Sequence, residues 1–390
     1  MYNVSENFKK LANANGRTFD VKVDIDGAEY SKEIVSLNIQ KSIQEEQGLT
    51  LGTCVAGTLT LEINLKSISA KAKIKPYVRF LDDTQNSEWL QLGCFFVDTA
   101  PISLGTASIT AFDKMIQIEK QYVKNEKLIM PCPMQDFLAE ICKQGGFETS
   151  FICQPFTLNY QPINYTLREM LGFIASAHGG CGIFDNQGKF TIVNFANTNE
   201  KVELKNQFEQ AIETDTFTVG AVDIVVSDDK TIKRGKADEF STISFFNPLG
   251  DEKIADYVFK NLGGLIYKGL TASKQGFGYL EVGDLCQTVD NNNRVKTVNI
   301  IISELELNFS AGEFTENITS SARTKSQEEF THTFDIEKEI SNKVEKLVDA
   351  VYHIENSSTQ NLSAKENEII NIKFDSNAKC TPIFHCEINI

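Results

Sequence analysis

Between residues 17 and 112 the apolar side chains fall at every second position in one run after another, with no helical period between the runs. A period of two puts alternate side chains on opposite faces of a strand, so such a chain must pair strands before it can bury anything. Residues 17 to 25 place Phe19, Val21, Val23 and Ile25 on one face, and Asp26-Gly27 follows as the pair that accepts the left-handed backbone of a two-residue hairpin turn. Further strands are expected at Ile34 to Ile39, Gly57 to Leu65, Ile74 to Leu81, Leu90 to Val97 and Ala107 to Phe112. A run of strands with no helix between them implies a β-barrel or sandwich.

At Asp113 the pattern changes, because Asp can cap a short helix through Met115, Ile116 and Ile118. A helix is then expected from Pro133, with Met134, Phe137, Leu138, Ile141 and Cys142 at helical spacing and Gly145-Gly146 ending it. Thr166-Leu-Arg-Glu169 is a capping box that opens a second helix burying Leu167, Met170, Leu171 and Ile174, closed by His178-Gly179-Gly180. Gly182 to Phe184 and Lys189 to Phe195 form a hairpin about Asp185-Asn-Gln-Gly188. Strands return at Thr216 to Val226, Glu239 to Phe246, Leu265 to Ala272, Leu285 to Val289 and Val295 to Phe309, with one helix from Asp251 to Leu262 among them.

A chain of 390 residues exceeds one ordinary core and implies roughly two to four domains. The 41% apolar content, with 27 Phe against one Trp, excludes global disorder. A net charge of -15 argues against gripping nucleic acid through its phosphates, which needs clustered Lys and Arg, although many soluble proteins are simply acidic. The nine cysteines sit mostly inside apolar patterns and read as buried reduced thiols. No apolar core of signal-peptide length opens the N-terminus, so the expectation is folding in a reducing cytoplasm.

Candidate chemistry is sparse. His178 with Cys181 could form a metal pair or a Cys/His nucleophile, but two further metal ligands or an orienting group are missing, and His178 reads as a helix-end residue. Cys380 and Cys386 with His385 form a second loose cluster. Asp82-Asp83 and Asp228-Asp229 read as turn carboxylates, and Gly276-Phe-Gly278 as a strand bend too short to cradle a phosphate.

After Ser320 the composition shifts: residues 326 to 390 hold six Lys against twelve Asp or Glu and no Gly, which reads as a long helix. Ile340, Val344, Leu347, Val351 and Ile354 recur at spacings of 4, 3, 4 and 3, a coiled-coil seam with Ile340, Leu347 and Ile354 at d. Isoleucine at d disfavours two strands, so a trimer is expected. Glu337 and Ser358 limit the seam to little more than two heptads; the alternative is an amphipathic helix lying on its own domain. Glu368 to Ile390 alternate again as strands, too few to close a sheet alone, which pair either with copies of themselves or as the start of a longer domain.

Taken in order, these motifs resemble the tail hub proteins of bacteriophages, the baseplate-hub family related to contractile-tail hubs and the base of the type VI secretion spike. The resemblance is carried by Gly93-Cys-Phe-Phe-Val97, Ser108-Ile-Thr-Ala-Phe-Asp-Lys-Met115, Ile141-Cys-Lys-Gln-Gly-Gly146, Thr166-Leu-Arg-Glu-Met-Leu171 with the Asp185 to Phe190 hairpin, Tyr279-Leu-Glu-Val-Gly-Asp-Leu285, Ile302 to Phe309 and Gly312. It spans residues 15 to 322 and implies a mainly β chain with an α+β insertion. The expected layout is a first tube-like β-barrel (1–122), an α/β insertion domain (123–204), a second tube-like β-barrel with one helix (205–322), a trimeric coiled-coil helix (323–362) and a C-terminal β segment (363–390).

The resemblance further implies a homotrimer whose six barrels form a pseudo-hexameric ring capping the tail tube, with roles in host attachment and DNA channel opening. Implied partners are a hexameric tail tube or distal tail protein ring, the tape measure protein, receptor-binding proteins and the host cell surface, with DNA passing the lumen unbound. The expected location is the virion tail tip after assembly in the bacterial cytoplasm. No cofactor, metal or catalytic residue is implied, and no hydrolase signature follows residue 322. Two other readings compete: a receptor- or carbohydrate-binding module using Trp89, Tyr160 and Tyr165, and a hydrolase using His178 and Cys181.

Overall fold

Strand content dominates, and the order of elements follows the sequence patterns closely. The computed structural model describes residues 1–44, 48–195, 197–202, 207–237, 241–289 and 297–321. The elements are α1 (Glu6–Ala12), β1 (Thr18–Ile25), β2 (Ala28–Tyr30), β3 (Ile34–Ser42), β4 (Thr58–Ile63), β5 (Lys73–Leu81), β6 (Leu90–Gln91), β7 (Phe95–Thr99), β8 (Ile102–Ser103) and β9 (Thr106–Phe112). A 3-10 turn at Lys114–Ile118 leads to β10 (Cys132–Pro133), α2 (Met134–Gly145), β11 (Thr157–Leu158), α3 (Leu167–Ala177), β12 (Cys181–Phe184) and β13 (Phe190–Val193). Then come β14 (Asn197–Val202), β15 (Gln207–Thr218), β16 (Ala221–Ser227), β17 (Lys230–Gly235), β18 (Thr242–Phe246), α4 (Glu252–Leu262), β19 (Ile266–Gln275), β20 (Leu285–Val289), β21 (Thr297–Ile301), β22 (Glu304–Ser310) and β23 (Glu313–Ser320).

The local signals act as their chemistry requires. Asp26 and Gly27 have φ of 50° and 90° between β1 and β2. Asp113 caps the 3-10 turn by accepting from the Met115 N–H, and both halves of the Thr166/Glu169 capping box form at α3. Three expected strands are broken. Gly93-Cys94 separates β6 from β7, Val219-Gly220 separates β15 from β16, and Ile302-Ser303 separates β21 from β22. At the second and third breaks the flanking strands join different partners, so a continuous apolar pattern crosses a corner of the fold, whereas β6 and β7 both pair with β5. Pro133 stands one residue before α2, where it also pairs with Thr157.

Thirteen strands form one sheet, in the order β15-β19-β23-β22-β3-β4-β9-β7-β5-β1-β2, with β6 on β5 and β8 on β9. The strands of the two β segments therefore meet directly: β22 pairs antiparallel with β3, from Glu304 opposite Ser42 to Ser310 opposite Ser36. Neither segment closes on itself. The two expected barrels are not formed within the described chain, because β22 satisfies its backbone on β3 and the sheet stays open at β15 and β2. Across that seam lie two sets of four strands, β15-β19-β23-β22 and β3-β4-β9-β7. In each set the spatial order is first, second, fourth and third in chain order.

One side of the sheet is covered by the core, in which Phe8, Phe80, Phe95, Phe137 and Phe190 are at most 1% exposed. Phe8 on α1 meets Phe80 edge-on at 5.1 Å, so the N-terminal helix, which has no strong sequence signal beyond its Ser5 cap, is held by packing. The insertion docks backbone to backbone: the Gly52 N–H donates to the Gly180 carbonyl, and a Cβ at Gly172 of α3 would lie 2.3 Å from the Gly52 oxygen. Only glycine fits this approach. The helix expected over 323–362 and the strands expected over 363–390 lie outside the described residues.

Candidate assembly surface

The outward face of the sheet follows from strand alternation. On β23, β22, β3, β4 and β9 the inward residues are apolar, apart from Glu316, Ser320 and Lys41. The outward ones are Glu313, Thr315, Asn317 and Thr319; Glu304, Glu306, Asn308 and Ser310; Ser36, Asn38, Gln40 and Ser42; Thr58, Thr60 and Glu62; and Thr106, Ser108, Thr110 and Phe112. Across these five strands the outward face carries four glutamates and no lysine or arginine. Residues directly opposite share a face, so Asn317, Glu306, Gln40 and Thr58 make one continuous row across the seam.

Glu306 is the centre of that row. Its carboxylate accepts from Asn38 Nδ2 at 2.6 Å, from Asn317 Nδ2 at 2.7 Å and from Gln40 Nε2 at 3.3 Å. Partial burial works against its charge, but the amide donors of Asn317, Asn38 and Gln40 outweigh it and hold its pKa below the usual carboxylate value. The result is a fixed negative charge where the two strand sets join. No sequence pattern singles out Glu306, because its partner Asn38 lies 268 residues away.

At the other end of the sheet two cations, Arg79 and Lys22, are already engaged. Arg79 pairs with Asp20 at 2.7 Å and Lys22 with Glu29 at 2.5 Å. Both cations also lie over the Trp89 ring, Arg79 at 4.5 Å and Lys22 at 4.8 Å from its centre. A sugar ring stacking on Trp89 would have to displace them. Tyr165 is buried against Phe173, and the Tyr160 hydroxyl donates to the Pro248 carbonyl at 2.6 Å. The three aromatics proposed for a carbohydrate site therefore form no shared open platform among the described residues.

The His178/Cys181 pair is equally committed elsewhere. His178 is 1% exposed; its Nδ1 is 2.7 Å from the Ile174 carbonyl, and its Nε2 accepts from the Gln154 N–H at 2.9 Å. This fixes a neutral tautomer with no lone pair left for a thiol, and burial holds the imidazole below its ordinary pKa. The Cys181 thiol donates to the Thr50 carbonyl at 3.2 Å, and burial pushes it up to about 11, the opposite of an activated nucleophile. Asp82 is exposed and bonded to Thr84 within its turn. Gly278 donates its N–H to Glu316 at a strand bend, as a structural glycine does. The seam residues Ile340, Val344, Leu347, Val351 and Ile354, and the Cys380/His385/Cys386 cluster, lie outside the described residues.

No protein-family model and no curated protein matches the sequence. Solved structures do. The prophage MuSo2 43 kDa tail protein from Shewanella oneidensis is 12% identical, with a TM-score of 0.50 over 78% of this chain and 98% of its own. A tail protein from Neisseria meningitidis MC58 is 11% identical, with a TM-score of 0.51 over 78% of this chain and 96% of its own. These similarities show that the chain has the fold of bacteriophage tail proteins, as its resemblance to the tail hub family implies.

Proposed function

We propose that this chain is a structural hub protein of a phage tail tip or baseplate. Three copies form a pseudo-hexameric ring that caps the tail tube and takes part in host attachment and DNA channel opening. The observation that carries this reading is the repeated strand order: two four-stranded units of one topology stand side by side in one sheet. A rotation about a common axis relates such units, and three copies supply six of them. Each tube-like barrel of the ring then needs strands from neighbouring copies, which fits a sheet left open at the long edge strand β15.

In the ring the outward face of β23, β22, β3, β4 and β9 lines the channel. Four glutamates without a cation give DNA phosphates nothing to bind, so the duplex slides past. The insertion of residues 123–204 decorates the outside, and the segment carrying Ile340, Val344, Leu347, Val351 and Ile354 supplies a short trimeric coil on the axis. The hexameric tube or distal ring, the tape measure protein and receptor-binding proteins are its neighbours in the virion. Light scattering of the purified full-length chain should give a three-chain mass across a tenfold concentration range, and particle images a three-fold ring with six similar lobes; a monodisperse monomer would overturn the reading.

A further inference from the structure

Among the described residues three hairpin turns place two successive residues in the left-handed region: Asp26-Gly27, Ala311-Gly312 (φ 51° and 82°) and Leu104-Gly105 (φ 52° and 89°). At Asp26 the side chain offsets the strain, since its Oδ1 accepts the Lys73 N–H at 2.9 Å. Leucine has no polar atom to do this, and the left-handed backbone costs it about 1 kcal/mol or more. Leu104 is nevertheless 105% exposed at the tip of the β8–β9 hairpin, with Ile102 beside it at 42%. From Ala100 to Thr106 the chain carries no charge. A single exposed leucine is ordinary; one that also strains its own turn gives the isolated chain nothing in return.

The hairpin also projects. Ser108 and Ser310 share a row of the ladder through Glu62 and Ser36. The β22–β23 turn begins immediately after Ser310, whereas β9 pairs two residues further, through Ala107 and Thr106, before its turn. At about 3.3 Å per residue, Leu104 stands roughly 7 Å beyond Ala311 on the same rim.

We propose that the β8–β9 hairpin is an anchor that inserts Leu104, flanked by Ile102, into an uncharged apolar socket of a different protein stacked on this rim. A second copy of this chain fits poorly there, because the exposed carboxylates of Glu62 and Glu313 would meet their own kind in a molecule of net charge -15. The β22–β23 hairpin occupies the same place in the other strand set and ends shorter, in Ala311. Each copy therefore offers one anchor, and in the trimeric ring on which this inference rests the partner presents three sockets.

The test places a photoreactive amino acid at position 104 of the full-length chain and irradiates both the purified protein and the assembled tail particle. An adduct to a different polypeptide, formed only in the particle, is expected. Leu104→Asn, which suits the left-handed turn, should leave thermal stability unchanged or raised while lowering incorporation into particles at least tenfold. If the chain is present in particles but position 104 yields no adduct, yields one to a second copy, or Leu104→Asn incorporates normally, the anchor is overturned. Absence of the chain from every tail-like particle would overturn the hub reading and the anchor with it.

Discussion

His178 shows how a residue type that suggests chemistry can be consumed by folding. Its ring packs edge-on with Phe151 at 4.9 Å and tilted against Phe156 at 5.4 Å, near Tyr257, with both nitrogens bonded to backbone. Protonation would bring a second N–H against the Gln154 N–H, so the folded state binds this proton less readily than the unfolded chain does. Stability from this residue is present above the unfolded pKa of about 6.5 and is lost as pH falls through it toward the lower folded value. Asp113 acts in the opposite sense. Burial raises its carboxyl to about 6, against the hydrogen bonds from Gly57 and Met115, so its contribution improves as pH falls from about 6 toward its unfolded value. The two are separable by difference: denaturation between pH 7.5 and 5 should show a shallower loss of stability in His178→Gln than in the parent. Equal slopes would remove the argument. The helix-end position of His178 was legible in the sequence; its committed nitrogens were not, because Gln154 reaches it through a loop.

At the scale of elements, the β19–β23 pair holds the clearest buried charge. Lys274 and Glu316 are direct cross-strand neighbours, both side chains fully buried and bonded to each other, with Lys274 Nζ 3.5 Å from the centre of the Phe277 ring. Burial lowers the lysine pKa and Glu316 opposes that shift. Glu316→Ala should cost about 3–5 kcal/mol in equilibrium unfolding, since it strands a cation in the core, whereas Lys274→Met with Glu316→Leu should cost far less. A single-variant loss no greater than that of the double variant would refute the pairing argument. In the sequence these two residues look like ordinary members of alternating strands. Their inward direction depends on which neighbours β19 and β23 acquire, and the strands are separated by the whole of β20 to β22.

For the whole molecule, the hub reading rests on open edges and an axis. The hub reading assigns the axis to the seam beyond residue 322, and Leu347 is its central d residue. Leu347→Asp should therefore shift the purified protein from trimers toward monomers by at least tenfold in dissociation constant, read by sedimentation across concentrations, while the near-ultraviolet spectrum of the β-rich part stays unchanged. Unaltered trimers would show that the β edges suffice and that the helix lies on its own domain.

Element type was written locally and could be read from the chain alone: the period-two runs, the Asp26-Gly27 turn, the Asp113 cap and the Thr166/Glu169 box each act within a few residues. What the alternation could not contain was the choice of partner. An apolar strand satisfies its backbone equally well on any neighbour of suitable length, so the joining of β22 to β3, the repeated strand order and the amide cage around Glu306 were decided only by tertiary structure. No closed barrel forms among the described residues for that reason, since hydrogen bonds of the two segments run across the seam. The surface and edges on which the hub reading rests follow the same division, since they exist only once the strands have paired.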